Sequence, residues 1–226
     1  IHDMYPLGLE EFSKAIGIND IVIDALRDNF NSRTPVDNFI HSKMLDVFYL
    51  YLIIGGMPEA VSTYIETNDL SRVAEVHEKI IRLYKTDFSK YESTYKLKLH
   101  EIYDAMPGQL DQKNKRFQLN SIGKGISYDR VANDFLWLKD AGVAIPVYNI
   151  SEPKLPLIIS ENRNLFKLFF SDIGLLTSRY STAVKIAVLN KDSSINNGAL
   201  FENAVAQELK MQGFDLYYFN SKKQGE

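Results

Sequence analysis

The run from Val47 to Met57 (VFYLYLIIGGM) is the longest apolar stretch in the chain, and any fold must first find a place to bury it. It follows Lys43 and Asp46 and is interrupted by two glycines. That leaves it far short of the ~20 apolar residues a membrane-crossing helix needs. A helix from Lys43 to Ile54, capped by Ser42, is apolar nearly all round and so belongs at the centre of a helical bundle. Pro58 opens the next helix, where its missing N–H costs nothing. Between the two, Gly55-Gly56-Met57 has two readings. It is a tight turn joining packed helices, or a place where glycines admit close backbone approach and a helix N-terminus favours anionic groups.

Around this run, residues 5–91 read as helical. Leu9 to Phe12 start a short helix after Pro6, and Ile21 to Phe30 repeat apolar residues every three or four positions. Asp69 or Ser71 begins a long amphipathic helix through Val73, Val76, Ile80, Leu83 and Tyr84. Residues 97–160 change character. Leu99, Ile102, Tyr103 and Met106 mark a helix ended by Pro107-Gly108, and Ser127 caps a second through Val131, Phe135 and Leu138. Two strands, 143–150 and 155–160, follow around the turn Ser-Glu-Pro-Lys. Helix, helix and hairpin make a winged-helix pattern. Leu165 to Phe170 is a further apolar strand, and Ser171-Asp172-Ile173-Gly174 turns into a short helix. A last helix runs from Gly198 to a glycine stop at Gly213, with Phe201, Val205 and Leu209 on its apolar face. A strand at 216–219 follows it.

The 226 residues hold one large domain or two to three small ones, and 45% hydrophobic with 24% charged residues is ordinary for a soluble protein. A net charge of -3 supplies no global field to attract nucleic acid or an acidic membrane. Without cysteine, disulfides, thiolate catalysis and cysteine zinc sites are excluded, and the composition fits a reducing cytoplasm. Ile1-His2-Asp3 shows neither the basic start nor the apolar core of a signal peptide. A chain opening at Ile1 and ending inside a turn reads as a portion of a longer protein.

Several reactive constellations are absent. Gly123-Lys124 lacks the glycine a phosphate-binding loop requires at position 118, which is Gln. His77-Glu78 has no second histidine at 81. Asp192, Ser194 and Asn196 have calcium-loop spacing, but Asn203 stands where a Glu is needed, so no metal site is read. Glu202, near the start of the last helix, is either a rim acid favoured by the dipole or a ligand. The helix over 128–140 exposes Asp129, Arg130, Asn133, Asp134 and Lys139, a nearly neutral face. Lys113, Lys115, Arg116 and Lys124 lie upstream and Lys154 at the wing tip, so these five with Arg130 are the candidate DNA contacts. DNA readers usually present a more basic surface, which shifts the balance toward a structural or protein-docking role.

Tyr5-Pro-Leu-Gly-Leu-Glu-Glu-Phe12, Gly55-Gly-Met-Pro58, Leu168-Phe-Phe-Ser-Asp-Ile-Gly-Leu175 and Gly198-Ala-Leu-Phe-Glu-Asn203 with Glu208-Leu209 occur in this order along nearly the whole chain. With the aromatic–polar–Gly-Glu ending, Phe219 to Glu226, they resemble the prokaryotic AAA-type ATPases that carry a C-terminal conserved domain of unknown function. The resemblance implies a mostly α fold with an α/β end. Residues 1–96 are then a helical region including the ATPase lid, 97–160 a winged-helix domain, and 161–226 the truncated start of a restriction-endonuclease-like core. Gly56 and Pro58 would belong to the lid turn that touches the nucleotide base. Glu202 and Glu226 would match the first acids of the nuclease-like core, whose later ligands lie beyond the last residue.

The expected function is therefore that of a non-catalytic portion of such an ATPase, coupling nucleotide state to DNA or a protein partner in the cytoplasm, with no membrane association. No cofactor is expected in this chain. ATP and Mg²⁺ would come only with the upstream ATPase core, its first partner. The alternatives are a winged-helix DNA-binding regulator and a metal-dependent nuclease inactive as truncated.

Overall fold

The computed structural model describes residues 4–95 and 98–220, and residues 93–95 for the backbone only. The chain is mostly helical, with a small mixed sheet toward its C-terminal end. The first helices are α1 (Leu9–Ala15), α2 (Asp20–Ser32), α3 (Asn38–Ile54), α4 (Pro58–Thr67) and the long α5 (Leu70–Tyr95). Next come α6 (Leu99–Leu110), α7 (Tyr128–Asp140), β1 (Ala144–Ile150) and β2 (Glu161–Phe170). Then follow α8 (Ile173–Thr177), α9 (Thr182–Leu189), α10 (Gly198–Met211) and β3 (Tyr217–Phe219). The chain divides into two compact units, each discontinuous: residues 1–80 with 172–200, and residues 81–171 with 201–226.

In the first unit α3 is central. Val47, Tyr51, Leu52, Ile53 and Ile54 are buried, and α1, α4, α8 and α9 pack against this helix. The Tyr51 ring lies 5.2 Å from that of the fully buried Phe12 of α1. No single helix among the described residues is long and apolar enough to cross a membrane, and α3 and α4 are bent by 119° at their joint. The helix begins earlier than Ser42, because Asp37 caps it by accepting the Phe39 and Ile40 N–H groups. An aspartate outside the first turn offers two such bonds, and Ser42 lies within the helix.

The second unit has an aromatic core. Phe166 of β2 packs against Phe135 of α7 at 4.7 Å and stacks on Phe117 at 5.7 Å, while Tyr103 of α6 meets Phe170 at 5.2 Å. Strand β1 is the middle strand, antiparallel to β2 and parallel to β3. The register pairs Ala144 with Phe170 and Tyr148 with Phe166, then shifts between Tyr148 and Asn149. The predicted strand over 155–160 is not one: Leu157–Ser160 is a 3-10 turn, and the antiparallel partner starts at Glu161. Leu155, Ile158 and Ile159 supplied the strand-like apolar signal, yet all three are exposed. The paired sheet thus crosses the 160/161 boundary. Helix α6 also runs through Pro107 to Leu110 instead of stopping there. Near the helix end a proline removes a single bond, and its own carbonyl still accepts the Asp111 N–H at 3.2 Å.

Candidate functional site

In the first unit, three distant segments meet at Asp172. Its side chain is fully buried, and it caps α8 by accepting the Leu175 N–H on Oδ1 at 3.1 Å. Oδ2 accepts the Gly56 N–H at 2.6 Å, and the Gly174 and Met57 N–H groups also point at the carboxylate. Burial pushes this carboxyl up to about 6, against the downward pull of its backbone donors. Gly55, at φ 72°, must be glycine twice over: its backbone is left-handed, and a Cβ there would collide with the Asp172 carboxylate. The Gly56 carbonyl accepts the Leu7 N–H at 2.7 Å, and the Leu7 carbonyl accepts the Tyr51 hydroxyl at 3.0 Å. Beneath the turn, the buried His77 ring lies 2.9 Å from the Ile54 carbonyl through Nε2. A carbonyl can only accept, so Nε2 carries the proton and donates. Burial lowers the imidazole to about 4 and keeps it neutral. The carboxylate, hydroxyl, imidazole and backbone groups named here bond to one another, so the arrangement fastens the backbone.

In the second unit, α10 presents Glu202 to two lysines. Lys115 Nζ lies 2.8 Å from Oε1 and Lys167 Nζ, from β2, 3.2 Å from Oε2. The lysine side chains are only 17% and 11% exposed, whereas that of Glu202 is 40% exposed. Tyr218 of β3 faces one of these lysines and a neighbouring arginine, its ring centre 5.1 Å from Lys167 Nζ and 6.0 Å from the Arg116 guanidinium carbon. The next residue of α10, Asn203, is buried and bridges the end of β2. It accepts the Phe170 N–H at 2.8 Å and donates to the Phe170 carbonyl at 3.0 Å. The inward face of α10 is therefore Leu200, Asn203, Ala204 and Gln207, and the predicted face is corrected: Val205 and Leu209 are exposed. An asparagine with both amide ends satisfied by backbone can be buried, which apolar periodicity does not register.

The remaining sequence candidates are scattered. Gly56 is buried with both backbone groups engaged, and Pro58 is exposed at the first position of α4. Glu226 lies outside the described residues. Lys113, Lys124 and Arg130 are exposed, and Lys154 is exposed and paired with Glu152 at 2.9 Å. Of these candidates only Lys115 meets Glu202, and Arg116 lies over the ring of Tyr218, which Lys167 also faces. Asp134, read as exposed, is buried, and burial pushes its carboxyl up to about 6. Among the described residues, no three His, Asp or Glu side chains are grouped to hold a metal ion. Sequence reasoning missed Lys167, Tyr218 and the role of Asp172. A capping signal at Asp172 was visible, but its partner 116 positions away was not.

A family model described as a domain of unknown function (DUF8612) matches residues 45–184. The chain belongs to this family. No curated protein and no solved structure matches it. The DUF8612 segment runs from within α3 to the start of α9 and contains both Gly55-Gly56 and Asp172. It also contains Lys115, Arg116 and Lys167, while Leu7, Glu202 and Tyr218 lie outside it.

Proposed function

We propose that the chain is the non-catalytic C-terminal portion of a prokaryotic AAA-type ATPase, coupling the nucleotide state of an upstream core to a protein partner or DNA in the cytoplasm. The observation that carries this reading is the Asp172 joint. Three of the segments on which the resemblance rests, 5–12, 55–58 and 168–175, are tied by the bonds of Leu7, Gly56 and Asp172. A joint whose polar groups satisfy one another suits a part that transmits movement as one piece. On this reading residues 97–160 are the winged helix, and residues 161–226 begin the nuclease-like core.

A protein partner is favoured over duplex DNA. The exposed residues of α7 are Asp129, Arg130, Asn133, Leu136, Lys139 and Asp140, whose charges cancel. Phosphate neutralisation dominates DNA affinity, so such a face attracts a duplex weakly. Residual binding should be sequence-indifferent, with a log–log salt slope on the order of -3 to -4.

The intact reading frame tests the proposal. A strand–loop–helix bearing Gly-x-x-x-x-Gly-Lys-Ser/Thr is expected upstream of Ile1, and its absence overturns the reading. For this chain alone, calorimetric titration should show Mg-ATP binding no more tightly than inorganic phosphate, because the chain has no phosphate-binding loop to hold the β- and γ-phosphates. A micromolar dissociation constant would contradict a non-catalytic, nucleotide-free role.

A further inference from the structure

We propose that Lys115, Arg116 and Lys167 form a binding site for a phosphoryl oxyanion, and that Glu202 fills this site in the free protein. The first support is charge. Two lysines share one carboxylate, and Arg116, next to Lys115 in sequence, lies over the same Tyr218 ring as Lys167. Among the described residues neither lysine has a second carboxylate within ion-pair distance, and Arg116 has none. Two of these cations are largely withdrawn from water, where a surplus of like charge is costly unless an anion joins it. Tyr218 offsets part of the surplus with its ring face but brings no full negative charge.

The second support is an unmet donor. Among the described residues Arg116 Nε is buried without a hydrogen-bond partner, an exception in folded proteins that calls for an acceptor. Glu202 bonds the two lysines and leaves Arg116 Nε unserved. A free phosphate or phosphomonoester carries at least three terminal oxygens, enough to serve both ammonium groups and the guanidinium together, whereas a phosphodiester offers two; arginine is suited to phosphate geometry. The third support is access. Glu202 is more exposed than either lysine, so an incoming oxyanion can displace its carboxylate without moving the lysines. This inference stands on the cluster alone and does not need the ATPase reading.

Calorimetry on the 226-residue chain with inorganic phosphate tests it, with acetate as a carboxylate control. Phosphate should bind the wild type measurably better than acetate. E202Q, which removes the internal competitor, should bind phosphate roughly tenfold more tightly. R116Q should lose the binding; its side chain is half-buried on a loop, and an unchanged thermal melt would confirm that it folds. A second titration with a short duplex oligonucleotide separates the sources. Binding that competes with phosphate and follows the same order of variants identifies a phosphodiester, and phosphate binding alone identifies a free phosphate or phosphomonoester. Phosphate binding absent from both wild type and E202Q, or unaltered by R116Q, overturns the site and leaves Glu202 as a structural ion pair.

Discussion

At Asp172 both carboxylate oxygens accept backbone N–H groups, so an amide in its place must turn its NH₂ toward a donor. Asp172→Asn should therefore destabilise the chain by about 2–3 kcal/mol despite its matching shape, measured by urea unfolding near neutral pH. A loss below the error of that measurement would deny that the joint holds the turn. His77 gives a pH signature. Unfolded, its imidazole takes a proton near 6.5, but folded only near 4. Its stability contribution is complete above pH 6.5 and is lost as pH falls through that window. Asp172 and Asp134, raised from 3.8 to about 6, act oppositely, and their share of stability declines as pH rises between those values. The difference in unfolding free energy between wild type and His77→Gln isolates the imidazole. It should shrink by about 3 kcal/mol from pH 6.5 to pH 4, whereas a constant difference would remove His77 from the acid response.

Among the elements, the turn between α3 and α4 contrasts with the one after α7. Gly55 and Gly142 both have positive φ, but only Gly55 has a carboxylate where a Cβ would go. Gly142→Ala should cost about 1 kcal/mol, and Gly55→Ala several times more, compared as guanidinium midpoints. Equal costs would mean that Asp172 moves aside easily. The contrast also marks how far the sequence could be read. The central burial of α3 was legible because a run apolar on all sides has few other places to go. The end of α10 was legible because Gly213 stops helices by its left-handed backbone. The 155–160 turn and the polar inner face of α10 were not, because exposed apolar residues mimic a strand and buried Asn203 mimics a surface one. Within the candidate site, Glu202, Lys115 and Arg116 could be named, each in a separate role. Their meeting with Lys167 depends on β2 lying beside α10, which no local pattern encodes.

At the scale of the whole molecule, the first unit is built from two stretches separated by more than ninety residues' worth of the second, residues 81–171. A fragment of residues 1–96 lacks Asp172, α8 and α9, the partners that cover α3. It should show no cooperative thermal transition by circular dichroism, and a sharp melt would mean that α1–α5 form a self-sufficient core. The same discontinuity bears on synthesis. A ribosome adds ~5–20 residues per second, so Tyr51, Leu52 and Ile54 leave the exit tunnel on the order of ten seconds before α8 and α9 exist to shelter them. During that interval this apolar helix is a ready client for nascent-chain chaperones. Its release should coincide with the emergence of residue 200 rather than residue 96, which crosslinking of stalled nascent chains of graded length would reveal.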